Sequence, residues 1–83
     1  MPKLNRSVIH ENMAEAIEEL QRLLAKLDAG ELDEREYEVG MQHAFHHLNF
    51  AWNTRYWPMK RHKKLTKLDF KKGSQYPRDL ETF

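Results

Sequence analysis

The sequence predicts an all-α protein built on an antiparallel helix hairpin. Three observations carry that prediction. Apolar residues recur at spacings of three and four over residues 8–28 and again over residues 34–56. Between those stretches, Gly30 as a helix stop and Asp33 as a helix start stand three residues apart, which turns the chain back on itself. Pro58 closes the second stretch, because proline disfavours helical geometry in the residue before it. With 83 residues, one small helical domain is expected over 1–83, the hairpin in 8–57 and a basic, partly irregular C-terminal segment in 58–83.

In the first helix, Ile9, Met13, Ala16, Ile17, Leu20, Leu23, Leu24 and Leu27 fall in one stripe. Glu11, Glu15, Glu18, Glu19, Arg22 and Lys26 hold the other side, acids early and bases late, as the helix dipole favours. Ser7 is the expected N-cap, with Asn12 as a later alternative. At the second helix, Asp33 with Glu36 reads as a capping box, and Leu32 with Tyr37 as a hydrophobic staple.

The second helix is apolar on two opposite faces. Tyr37, Met41, Ala44, Phe45, Leu48 and Trp52 form one and are expected to pack on the first helix. Val39, His43, His46, Phe50 and Trp57 form the other and need a cover of their own. Either the C-terminal segment supplies it, through Leu65, Leu68 and Phe70, or a second subunit does. The C-terminal segment is poor in apolar residues, so the expectation is a homodimer with a four-helix bundle, those five residues forming its interface.

From position 59 the pattern weakens. Residues 59–72 suit a short basic helix, Gly73-Ser74 a break, and 75–83 an extended tail bent at Tyr76-Pro77. There is no internal repeat.

Composition narrows function. A chain this short buries a marginal core, and without cysteine it has neither disulfides nor thiolate metal sites. No apolar run is long enough to span a bilayer, and the first residues lack the apolar stretch of a secretory signal. A cytoplasmic protein with no membrane contact is the expectation. Residues 1–43 carry five Lys/Arg against ten Asp/Glu, residues 44–83 nine against three. Arg55, Lys60, Arg61, Lys63, Lys64 and Lys67 lead the basic stretch, with Tyr56, Trp57, His62 and Phe70 among them. Cations neutralise phosphates or carboxylates, and open aromatic faces stack on unpaired bases. An acidic protein or a nucleic acid is therefore the expected partner.

His43, His46 and His47 are the candidate metal ligands, His43 and His47 being four apart on one helix. Only His47 is expected near the first helix, and neither Glu-x-x-His nor His-Glu-x-x-His occurs. No glycine-rich phosphate loop, no nucleophile with a base and no cofactor signature is present. The reading is a non-enzymatic interaction or regulatory protein without cofactor, with a nucleic-acid binder and a histidine-rich metal-binding bundle as alternatives.

Overall fold

A computed structural model describes residues 2–81. It is all-helical: α1 (Arg6–Asp28), α2 (Glu34–Asn53), α3 (Met59–His62) and α4 (Lys67–Ser74). The long helices α1 and α2 pack together as the hairpin, and α4 lies against α2.

Helix α1 begins two residues before the expected start. Its N-cap is Asn5, whose Oδ1 accepts from the Val8 amide at 3.2 Å. Asn5 also donates from its backbone amide to Arg55 O and from Nδ2 to Trp57 O at 3.0 Å. These bonds reach across more than forty-five residues of chain, so local pattern gave Ser7 the place that tertiary contact gives Asn5. The helix ends as expected. Gly30 has φ 72°, and Gly30 and Glu31 donate to Leu27 O and Lys26 O, capping the last carbonyls.

At α2, Asp33 Oδ1 accepts from the Glu36 amide at 2.8 Å. The return half of the expected capping box does not form, because the Glu36 carboxylate pairs with Lys26 across the hairpin. The helix stops three residues earlier than expected. Thr54 is fully buried, and its hydroxyl donates to Phe50 O at 2.7 Å. Arg55 donates to Trp52 O at 2.7 Å. The Arg55 side chain thus occupies Trp52 O, the carbonyl that the Tyr56 amide would have used in a further turn.

The hairpin seam differs from the expected one. Of the face Tyr37, Met41, Ala44, Phe45, Leu48 and Trp52, Ala44 alone is buried. The residues against α1 are Gly40, Ala44, His47 and Ala51, roughly 80° further round the helix. Small residues decide this. Leu23, buried on α1, sits so close to Gly40 that a Cβ there would meet its Cδ2 at 2.6 Å. Bulkier Phe45 or Leu48 at the seam would hold the backbones apart and lose that packing.

The expected single helix over 59–72 is two short ones. Lys64 and Leu65 lie outside both. Thr66 and Asp69 form a complete capping box that starts α4. Gly73-Ser74 is the last turn of α4 and not a break. Gly73 is buried because the Phe50 ring lies on it, 2.5 Å from where a Cβ would stand. Asn53 Nδ2 donates to Lys72 O, Gly73 O and Gln75 O, and Asn49 Nδ2 to Ser74 O, so α2 caps the end of α4. Of the expected tail, 82 and 83 lie outside the described residues; over 75–81 there is no helix or strand.

Candidate functional site: the two sides of the hairpin

One side of the hairpin is closed by the chain itself. Phe50 is 6% exposed, its ring centroid 5.9 Å from that of Phe70 and 6.1 Å from that of His62. His46 stacks at 5.1 Å on Phe70 and shares a 3.0 Å hydrogen bond with Ser74 Oγ. Trp57 carries the Arg61 guanidinium over its ring at 3.5 Å. The second apolar face of α2 is thus covered by the C-terminal segment. Of the five residues expected at a subunit interface, Phe50 and His46 lie beneath α4 and Trp57 beneath Arg61. Val39 and His43 remain exposed. The expectation underrated the segment because Gly73 contributes close packing without any apolar side chain to count.

The histidines form a chain of contacts along the rim of this side. Asn12 Nδ2 donates to Val8 O, which leaves Asn12 Oδ1 to accept from His47 Nδ1 at 2.9 Å. His47 Nε2, unprotonated in that tautomer, accepts from His43 Nε2 at 3.0 Å. His43 Nδ1 stands 3.8 Å from Glu19, whose carboxylate is held below its ordinary range chiefly by the Arg22 hydrogen bonds. His43 therefore reaches the first helix as His47 does, contrary to the expectation that it points away. His46 turns instead to Ser74. Ser74 donates its own proton to Phe70 O, so His46 donates from Nδ1 to Ser74 Oγ. Among the described residues no group of three or more His, Asp or Glu is placed to hold a metal ion.

Burial lowers the pKa of both His46 and His47, with the charges of neighbouring histidines adding to it. For His47, Glu15 and Glu11 oppose the shift. A histidine whose folded pKa is depressed stabilises the fold while neutral. That contribution is complete above the ordinary imidazole range and is lost as pH falls through it, where the unfolded chain takes up the proton first. Melting temperature should therefore fall between about pH 7.5 and about pH 5.5, and His46→Gln should flatten that slope. A melting temperature constant over this window, followed by circular dichroism, would contradict the assignment.

Along the closing segment, the cations divide into two kinds. Arg61 donates to Asp69 at 2.8 Å, and that contact, with the Thr66 amide, holds the Asp69 carboxyl below its usual range. Arg55 lies over Trp52 at 3.9 Å and pairs with Asp79 at 3.3 Å. Asp79 also accepts from Trp52 Nε1, the main cause of its lowered pKa. Two of the six expected partner-binding cations are thus held within the molecule. Lys60, Lys63, Lys64 and Lys67 are exposed and have no carboxylate within 4 Å among the described residues. Lys63 shares a groove with Glu11 and Glu15 of α1 without pairing with either. Sequence reasoning missed Asp79 and Asn53 as anchors, and only Thr66-x-x-Asp69 left a readable signal.

The other side of the hairpin is open. On α1, Met13, Ile17, Leu20, Leu24 and Leu27 are 41–60% exposed, and on α2 Tyr37, Phe45 and Leu48 are 45–53% exposed. Leu20, Leu24, Leu27, Tyr37 and Met41 line one shallow groove, so the two stripes share a side. Sequence reasoning placed these residues in the core, and the face was missed for that reason. No helix of the described residues is long and apolar enough to cross a membrane.

The chain matches no protein-family model, no curated protein and no solved structure.

Proposed function

We propose that the protein is a non-enzymatic interaction protein that binds an acidic partner through the outer side of its C-terminal segment and works as a homodimer. One observation carries the binding half. Lys60, Lys63, Lys64 and Lys67 stand exposed without a carboxylate partner among the described residues, while the neighbouring Arg55 and Arg61 are paired with Asp79 and Asp69. Unpaired cations within eight residues of chain steer an anionic partner and suppress cationic ones. A cysteine-free composition fits a cytoplasmic setting.

An acidic protein fits better than a single-stranded nucleic acid. Stacking on bases needs free ring faces. Here Arg61 lies over Trp57 and Arg55 over Tyr56, and the half-exposed Phe70 turns one side toward His46 and Phe50. The test is fluorescence anisotropy with two labelled probes, a poly-glutamate peptide and a DNA oligonucleotide, across a salt series. Reversing Lys60, Lys63, Lys64 and Lys67 to glutamate should weaken poly-glutamate binding about tenfold or more, and added salt should do likewise. Binding that ignores both changes removes the proposal, and tighter salt-sensitive binding to DNA would transfer it to nucleic acid.

A further inference from the structure

We infer that a second copy of this chain covers the open apolar side, packed so that the turn end of each hairpin lies on the open end of the other. The inference rests on the homodimer reading above and supplies the surface and the orientation that reading lacks.

Area argues for a stable pairing. The exposed parts of the half-buried apolar side chains on this side amount to roughly 800 Å², about one partner's share of a standard-size interface. Such a patch is larger than a lone soluble domain usually leaves in water. The small core points the same way. Apart from Val8, Leu23, Phe50 and Pro77, the buried apolar side chains are alanines, so one chain alone gains little from burial.

Charge then chooses the occupant and its direction. The stripes contain no charged residue, as the centre of an interface requires. The two ends of the hairpin carry opposite charge. Residues 26–38, at the turn, hold six Asp/Glu against two Lys/Arg. Residues 2–10 and 51–60, at the open end, hold four Lys/Arg and no acid of their own, one of the four, Arg55, being paired with Asp79. Copies aligned turn on turn would set acid against acid. Copies reversed end for end set Asp28 and Glu34 of each against Arg6 and Lys3 of the other. The surface is therefore complementary to itself under a two-fold axis perpendicular to the helices. Such a two-fold pairing uses one surface of each copy, so the assembly closes at two. The product is a four-helix bundle with the two lysine-rich layers facing outward on opposite sides.

Light scattering on the full chain should give twice its 10.0 kDa mass at micromolar concentration. Ile17→Glu with Phe45→Glu, both at half-exposed positions, should give single-chain mass with the helical circular dichroism retained. Orientation is read with cysteines, since the chain has none. Oxidising Asp28→Cys mixed with Arg6→Cys should yield the mixed disulfide, and Asp28→Cys alone should stay uncrosslinked, its two copies lying on the order of 30 Å apart. Single-chain mass at all concentrations overturns the inference, and so does efficient self-crosslinking of Asp28→Cys. Poly-glutamate binding measured on the Ile17→Glu, Phe45→Glu chain keeps the two failures separate, because the lysine layer does not touch this side.

Discussion

Replacing Phe50 by alanine is expected to lower the unfolding free energy by about 3 kcal/mol, the usual cost of truncating a buried phenylalanine. Phe50 is the one large aromatic fully within the described core, and it holds α2 to α4 through Phe70 and Gly73. Its loss leaves His46 and His62 facing a cavity and removes the surface on which the Gly73 backbone rests. Amide exchange over residues 67–74 should therefore speed up more than exchange in the hairpin seam. The informative companion is Phe45→Ala. Periodicity places Phe45 against α1 and Phe50 on the second face of α2, whereas the fold leaves Phe45 at 47% exposure. In the Ile17→Glu background, where a second copy should not mask the result, Phe45→Ala should cost well under 1 kcal/mol. Urea unfolding of both variants decides the matter. Equal losses, or a larger loss at Phe45, would mean that the C-terminal segment does not close this side.

The second large effect is expected at Gly40. A side chain there enters the space of Leu23, with its Cβ 2.6 Å from Cδ2 and 2.9 Å from Cγ. Gly40→Ala brings the better helix former, worth about 1 kcal/mol, against the cost of shifting one buried leucine. The two nearly cancel. Gly40→Leu adds three more carbons where there is no room, and a loss of about 2–3 kcal/mol is expected. The partner variant makes the cause testable. In Leu23→Ala the space is vacated, so the further cost of Gly40→Leu should shrink by 1 kcal/mol or more in a double-mutant cycle. Additive losses would place the seam elsewhere on α2.

The two glycines of α2 and α4 also explain why the readable part of the sequence stopped where it did. Helix existence and the turn were legible because they depend on near neighbours. Gly30 with positive φ and Asp33 bonded to Glu36 lie within a few residues of what they terminate or start. The need of α2 for cover on two sides was legible too, since apolar residues ring more than half of it. Which side meets what was not. Gly40 and Gly73 carry no hydropathy signal, yet each sets the closest approach between two elements. The histidine chain was half legible. The four-residue spacing brings His43 and His47 together, but Asn12 and Glu19 reach them only across the hairpin. The lysine-rich surface was visible as composition, and its division into paired arginines and unpaired lysines was not, because Asp69 and Asp79 find their partners through folding.

The sequence by itself determined that this chain is helical, where it turns, and that its charge is split between its two halves, because periodicity, capping and charge are local properties. The tertiary structure alone decided the rotation of α2 and with it which apolar side is left open. That choice is made by the distance at which backbones can pack. A glycine permits that distance without announcing it, and two nearly equal greasy faces compete for one neighbour.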